Sequence, residues 1–529
     1  MIDLAIVLIY FIVIFVAAMS GRSKGEVTAE EYFLSNRNLN WYSIALSTVA
    51  TNINGYQFLG MMGSAYLYGL AQASLEINAI QGILMAAFIF VPLYLREGIV
   101  TITQYIKKRL GNTVGLVYTI ANITLFSTIT LGAALFWGAY AADLVFADSL
   151  SFIHEDRIIR IAILILGLGV FSATYTYLGG LAAVVKTDII QFVILLLGGF
   201  VVMFTAVYHL GGWRQLYIKT PELMHLHLPA DHEKLPWIHI FGLFLLNINY
   251  WCANQTVIQR SLAAKSLREA QKGLMLGGII KYIMAALIVI PGIALYGILQ
   301  ENGTPLAEPD LAYPYLVKTY LPVGVKGIIL CALFASLMST VDSTFNSLST
   351  LFSIDIYKEY INKKATEAQI VNAGRRTIII TLITGVLMGF VLLYVKFENP
   401  EAAFTHTLNE LRYYINCGIV VLICSAAFMV APNHRWALIA FLSTIPLHLI
   451  IKGFDFGFLS FDGLFPDMNY FVRAGWVVLI SFIIVSLGSI SNGFKKWKDI
   501  VFLQKESRSV QQIGLGLLVS LVLLHVIFH

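Results

Sequence analysis

The sequence predicts an all-α polytopic membrane protein with about 14 transmembrane helices, and three observations carry that expectation. Of the 529 residues, 58% are apolar and 12% charged, and a mean hydropathy of +0.77 is too high for a soluble chain of this length. Apolar runs of about 20 residues, each able to cross a ~30 Å hydrocarbon layer, recur from one end to the other. Inside several runs sit polar residues that hydrocarbon tolerates only where they meet water, protein or an ion.

The first run, 2–19, mimics a signal peptide because Ala17 and Ala18 precede Ser20. It carries Asp3 where a basic amino-terminal region belongs, so it is expected to stay as a helix. The second, 40–68, is interrupted by Thr51, Asn52, Asn54, Gly55 and Gln57. The third, 75–95, carries Glu76 and Asn78; the fourth and fifth span 114–146 and 158–179; the sixth, 184–208, has Asp188 near its start. The seventh, 236–258, is interrupted by Asn247, Asn249, Asn254 and Gln255, and the eighth, 271–299, contains Lys281. The ninth runs 325–356, the tenth 374–395, and the eleventh, 402–431, includes Asn409, Glu410 and Arg412. Three apolar runs follow, 436–452, 470–491 and 511–528.

The ninth helix is the most informative. Ser336, Ser339, Thr340, Asp342, Ser343, Asn346, Ser347 and Thr350 recur at three- and four-residue spacing, which lines one helical face with oxygen ligands. Leaving such groups in lipid costs several kcal/mol each, and the carboxylate of Asp342 adds roughly 3 kcal/mol. Hydroxyl and carbonyl oxygens suit a hard monovalent cation such as sodium, and the stripe lacks the thiolates and imidazoles a transition metal would want. A Ser/Thr-rich helix packed tightly on its neighbours explains the hydroxyls alone; it does not explain Asp342.

Loops after odd-numbered helices hold most of the 35 Lys and Arg residues, including Arg96–Arg109, Arg260–Lys272, Lys358–Arg376 and Lys495–Arg508. The positive-inside rule puts those loops in the cytoplasm, on its anionic lipid surface, and both termini outside. The formal charge of +5 therefore argues for a lipid bilayer and not for nucleic acid. Cys252, Cys331, Cys417 and Cys424 all fall in predicted spans, without metal or disulfide spacing. His225, His227 and His232 cluster in an external loop, more simply a solvated loop than a metal site. No GxGxxG or Walker pattern occurs. Neither a nucleophile–base pair nor a phosphate or metal centre points to an enzyme. No linker or low-complexity tract divides the chain, so 1–529 reads as one integral domain with no obligatory protein partner implied.

The interruptions in the second and seventh helices lie five helices apart. An odd offset places the two in opposite orientations, as an inverted repeat of five helices requires. The expected division is an extra helix at 1–20, a first repeat at 40–208, a second at 236–431 and extra helices at 436–528. Gly55 beside two asparagines marks where the second helix would unwind and free carbonyls for a cation.

The stretch EYFLSNRNLNWYSIALSTVATNINGYQFLG from Glu31 resembles the sodium/solute symporter family, in particular its sodium/glucose cotransporter branch. YLGGLAAVVKTDIIQ from Tyr177, NYWCANQTVIQRSLAAKSLREAQKG from Asn249 and SLMSTVDSTFNSLSTLFSIDIYKEYI from Ser336 agree. The resemblance reaches about Phe428, and the last three helices are generic.

The resemblance implies a leucine-transporter-like fold of five plus five inverted helices with extra helices at both ends, in the plasma membrane, or the inner membrane of a bacterium. It implies a sodium site made by the carbonyls of Ala50, Ile53 and Ser336 with the hydroxyls of Ser339 and Thr340. A monosaccharide or related polyol would meet Gln57, Glu76, Asn247, Lys281 and Asn409, with Tyr250 gating the sugar ring. A sugar's many hydroxyls call for convergent amides, a carboxylate and an ammonium. Lys281 and Glu76 would also suit a structural ion pair. Asp188, Asp342 and Ser343 fall where two-sodium relatives hold their additional ion, or on its exit path. Tyr56 departs from a carboxylate in a bacterial relative, Asn409 from the usual Gln, and Ala79 from a small polar contact; these reshape the pocket. The implied activity is sodium-coupled sugar import by alternating access. The alternatives are sodium symport of an amino acid, carboxylate or vitamin, and sugar sensing on the same fold.

Overall fold

The first helix shows how the whole assembly is patterned. In α1 (Ile2–Ser20), Val7, Tyr10, Ile14 and Ala18 are buried while Leu8, Ile9, Ile12 and Val16 face outward. Helical spacing separates a protein face from an equally apolar lipid face. The computed structural model describes residues 2–20, 26–53, 55, 57–398, 404–455, 460–489, 493–503 and 508–529, with 404–407 and 409 as backbone only. It is helical throughout, with only isolated β-bridges among the described residues.

Among the described residues, fourteen helical segments occupy the expected places, and eleven continuous stretches are long and apolar enough to cross a membrane. Two of these hold two crossings each. In Gln57–Glu97 the break is Gly69 (φ +59°), and in Arg157–Leu210 it is Gly180 (φ +56°). At both positions an L side chain would be strained, and a Cβ would run into Leu223 or Tyr32 respectively. The remaining crossing, α7 (239–262), is interrupted and so has no long continuous piece.

The other segments are α2 (41–52 and 57–68), α3 (74–97), α4 (Asn112–Leu150), α5 (157–179), α6 (181–210), α7 (239–262) and α8 (Leu267–Asn302). They continue with α9 (Val325–Ile361), α10 (Glu367–Glu398), α11 (Phe404–Phe428), α12 (His434–Ile451), α13 (Tyr470–Gly488) and α14 (Arg508–Ile527).

Two helices are broken. In α2 the regular helix stops at Asn52, Ile53 is extended (φ −97°, ψ 122°), and a π turn over Gln57–Met61 leads into the second piece. Asn54 and Tyr56 lie outside the described residues. In α7 a π turn over Asn249–Ala253 ends at the extended Asn254 (φ −78°, ψ 114°). The Asn254 side chain accepts from the Thr256 amide and caps the second piece.

The two broken helices run antiparallel. Leu39, just before α2, donates to the Ala263 carbonyl at 3.0 Å, and Lys265 returns a bond to Leu39 at 3.1 Å, so the start of α2 meets the end of α7. Arg37 stitches the same corner, donating to Leu262 (3.2 Å), Gly98 (3.1 Å) and Ile99 (3.2 Å). Those bonds hold Ser35, Asn36 and Arg37 in three consecutive left-handed conformations (φ 49°, 52°, 48°), each costing on the order of 1–3 kcal/mol.

At the centre lies α9, buried almost along its whole length and packed on α5, α6, α4, α10 and α1. Its polar stripe therefore faces protein. Lipid is met by the outer helices: Ile379, Ile383, Leu387 and Val391 of α10 are exposed while Thr377, Thr381, Gly385 and Gly389 pack inward.

Candidate functional site

The break in α2 sits directly against the stripe of α9. The Thr340 hydroxyl donates to the Thr51 carbonyl at 3.1 Å and lies 3.2 Å from the Ser336 carbonyl one turn back. Ala50, Ile53 and Ser336 are fully buried, and the Ile53 amide is 3.3 Å from the Ala50 carbonyl. Because helix 41–52 ends here, its last carbonyls lose their intrahelical donors and become acceptors for a cation or water. Hydroxyl and carbonyl oxygens meet at this point; a soft metal would find no thiolate or imidazole. Ser339 points elsewhere: its hydroxyl donates to Asp188.

Asp188 is fully buried and held on every side. Its Oδ2 accepts from Ser47 at 2.5 Å and pairs with the Arg260 guanidinium at 3.3 Å, while Oδ1 takes the Ser339 hydroxyl. Arg260 was read as part of an inner basic loop. The structure places it within the last turns of α7 with no solvent exposure. It donates to Ser47 at 3.0 Å and to Ser343 and the Thr256 carbonyl, so one guanidinium joins α2, α6, α7 and α9. Ser343 also shares a 2.9 Å bond with Thr51.

Asp342 extends the same network. Tyr175 of α5 donates to its Oδ2 at 2.6 Å and Ser343 lies 3.3 Å from Oδ1. Further along the stripe, Ser347 donates to Gln259 at 3.1 Å and Gln259 donates to Thr350 at 2.9 Å. Asn346, one turn from Asp342, keeps both amide atoms buried with no protein hydrogen-bond partner.

A cavity of about 170 Å³ lies across α3, α7, α8 and α11, lined by Asn52, Glu76, Asn247, Tyr250, Lys281 and Tyr413 among others. At ~10–15 Å³ per water, it has space for on the order of ten waters. Lys281 and Glu76, side chains 2% and 6% exposed, form an ion pair, and Lys281 also donates to Asn52 Oδ1 at 2.5 Å. Asn247 donates to the Asn78 carbonyl at 3.0 Å, which fixes one side of its amide. Trp251 closes the wall, its ring 6.0 Å from Lys281 Nζ.

Tyr250 lines this cavity and also a second one of about 110 Å³, which contains Thr51, Asn254, Thr340, Thr344 and Arg412. One aromatic ring thus separates a polar pocket from the space beside the α2 break.

Gln57 is not in the cavity wall. Its amide donates to the Asn52 carbonyl at 2.9 Å, across the break. The Asn409 side chain lies outside the described residues. From α11 the wall is made by Tyr413 and Asn416, which sequence reasoning missed. They follow Asn409 by one and two turns, so helical spacing was the available signal.

The sodium:solute symporter family model matches residues 32–442. The chain belongs to that family. A "Sodium/glucose cotransporter" of Vibrio parahaemolyticus is 31% identical, covering 100% of this chain and 98% of that protein. "Sodium/glucose cotransporter 1" of Mus musculus is 31% identical over 83% of this chain and 70% of its own length. The solved structure of a Na⁺-coupled sialic acid symporter in a substrate-bound outward-open state superposes with a TM-score of 0.78, covering 94% of this chain and 99% of that one. At 19% identity this last likeness establishes a shared fold.

As a sodium:solute symporter the protein is a multi-pass, sodium-coupled membrane transporter and not an enzyme. The four cysteines are buried and free. Among the described residues no group of three or more His, Cys, Asp or Glu side chains is arranged to hold a metal ion. His227 stacks with His525 of α14, Nε2 to Nδ1 at 3.0 Å, and does not gather with His225 and His232.

Proposed function

We propose that this symporter imports a monosaccharide, a hexose or a cyclic polyol, together with sodium. The observation that carries this is the placement of a pocket bearing an ammonium, a carboxylate, amides and aromatic rings one tyrosine away from the broken α2. The relatives named as sodium/glucose cotransporters support it. Sugar hydroxyls both donate and accept, so Glu76, Lys281, Asn247, Asn52 and Asn416 can each find a partner, with Tyr250 and Tyr413 offering ring faces. Asn409 and Gln57 belong to the same proposal, Gln57 by setting the shape of the break.

Sodium would bind at the carbonyls of Ala50, Ile53 and Ser336 with the hydroxyls of Ser339 and Thr340. For this Ser339 must turn from Asp188, and Thr340 must release Thr51. The ion then ties α2 to α9 and favours the state that holds sugar; by linkage, sugar favours sodium by the same factor. Release would pass Tyr250 into the second cavity. Sodium enters from outside, with both termini outside, in a plasma membrane or a bacterial inner membrane. The antiparallel α2 and α7 support the division into inverted repeats 40–208 and 236–431.

Removing one ligand oxygen should show in sodium dependence first. Thr340→Val is expected to raise the half-saturating sodium concentration about tenfold, the equivalent of roughly 1.4 kcal/mol, with maximal uptake largely kept. Sodium titration of initial rates checks this, and an unchanged sodium dependence would remove Thr340 from the site.

The proposal extends to a second ion beside Asp342 and Ser343. Among the described residues, the buried Asp188 pairs with Arg260, while the equally buried Asp342 is held by hydroxyls of Tyr175 and Ser343 and has no ion pair. An added cation would neutralise the cluster, and the unpartnered Asn346 amide lies on the same face. The expected ratio is two charges moved per sugar. One sodium moving down a tenfold gradient and 100 mV supplies about 3.7 kcal/mol, so two ions would square the attainable sugar gradient. A measured ratio of one charge per sugar contradicts the second site.

The substrate is tested by reconstituting the protein in liposomes and measuring uptake of labelled hexoses and inositol with and without an inward sodium gradient, beside Gln57→Ala. Sodium-driven uptake of one of them, reduced in the variant, supports the assignment. Uptake of an amino acid or carboxylate instead of any sugar overturns it.

A further inference from the structure

The segment 493–503, between α13 and α14, straps one end of the helix bundle. Lys495 donates its amide to the Phe428 carbonyl at 2.8 Å, Val430 donates to Gly493 at 3.1 Å, and Phe502 donates to Phe88 of α3 at 2.9 Å. The strap is thus pinned to the end of α11 and to the helix that carries Glu76. Its composition is amphipathic: Phe494, Trp497 and Leu503 are 58%, 72% and 64% exposed, and Lys495, Lys496 and Lys498 alternate with them.

Two arginines from the neighbouring elements join these lysines. Arg96, at the end of α3, lies 5.0 Å from the ring of Phe502. Arg109 donates to the carbonyls of Ala426 (2.9 Å) and Val430 (2.9 Å), and the Lys495 ammonium donates to Ala427 at 2.8 Å. Both cap the carboxyl end of α11, where the helix dipole is negative. That partial charge does not balance the cluster. Burial, then Arg109 and Arg96, push the Lys495 ammonium down to about 8, with Glu97 the opposing carboxylate. Glu97 is itself paired with Lys108, and Asp499 is the acidic residue of the strap.

An excess of positive charge beside exposed tryptophan, phenylalanine and leucine fits one environment, the headgroup level of a membrane that carries anionic lipid. We propose that Arg96, Arg109 and the lysines of the strap form a binding site for the phosphate headgroup of an anionic phospholipid, with Trp497 and Phe494 inserted beside its acyl chains. The side is the one on which the sequence gathers its basic loops. Because the strap holds the ends of α3 and α11, a lipid seated there braces both walls of the pocket.

The test is native mass spectrometry of the purified protein in mild detergent, titrated with phosphatidylglycerol or phosphatidylcholine of matched acyl chains. The expected result is about tenfold preferential retention of phosphatidylglycerol, falling severalfold when Lys495, Lys496 and Lys498 are changed to Gln, and also when Trp497→Ser removes the apolar anchor. Equal retention of the two lipids by the unaltered protein overturns the proposal, as does a preference that neither variant changes. Loss of bound lipid to excess inorganic phosphate assigns the site to a free anion and overturns the lipid assignment. None of these readouts depends on which solute is transported.

Discussion

Replacing Arg260 with methionine is expected to be the most damaging single change in the protein. Asp188 would keep the donors Ser47 and Ser339 but lose its counter-charge at zero exposure. Leaving one partner of a buried ion pair costs about 3–5 kcal/mol, and the guanidinium also holds Ser343 and Thr256. Thermal unfolding of the variant in detergent should move sharply downward and uptake should vanish. Adding Asp188→Asn should restore much of the stability, because the stranded charge is then gone, without restoring transport. A single variant as stable as the unaltered protein would mean that the pair is dispensable. Arg260→Lys should fall between, since an ammonium keeps the charge but cannot reach three elements in the plane of one fork.

The second large effect is expected at Lys281. Lys281→Met leaves Glu76 unpaired inside the pocket and removes the donor to Asn52. Stranding that charge should cost about 3–5 kcal/mol of stability, and losing the ammonium as a sugar donor should weaken apparent sugar affinity roughly tenfold to a hundredfold. The double variant Glu76→Gln with Lys281→Met separates structure from binding. It should recover expression and thermal stability, yet still fail to bind sugar. Retained sugar binding in either variant, measured by uptake competition or calorimetry, would show that the pair is structural only.

The two strongest features of the fold are legible in the sequence for physical reasons. Asn52 and Gly55, in the middle of an apolar run, mark a place where continuous helix is disfavoured and polar groups need partners, and helix 41–52 ends there. The Ser/Thr/Asp stripe of α9 has helical spacing, so its burial against α2 and α6 follows from the cost of placing it in lipid. Lys281 and Glu76 stand out because charges inside apolar runs are expensive.

Arg260 was not legible. It stands at the end of an apolar run next to Lys265 and Arg268, and nothing local distinguishes an arginine turning inward from one snorkelling to the interface. Its partner Asp188 is 72 residues away in sequence, so only the packing of α6 on α7 reveals the pair. Ser339 illustrates a related limit, since spacing put it on the right face but could not say that Asp188 competes for its hydroxyl. The π turns at 57–61 and 249–253 also escape hydropathy, because they alter which residues face the pocket without altering composition. Tyr413 and Asn416 carry no charge and break no helix, so only their helical spacing from Asn409 marks them.

The measurement that bears most directly on the coupling of the two sites is reciprocal binding. Sugar affinity would be measured across a range of sodium concentrations, and sodium affinity across a range of sugar concentrations, on the purified protein. Sodium should tighten sugar and sugar should tighten sodium by one common factor, and Thr340→Val should reduce that factor. Sugar affinity independent of sodium would contradict that coupling, because the break in α2 would then not connect the ion to the pocket.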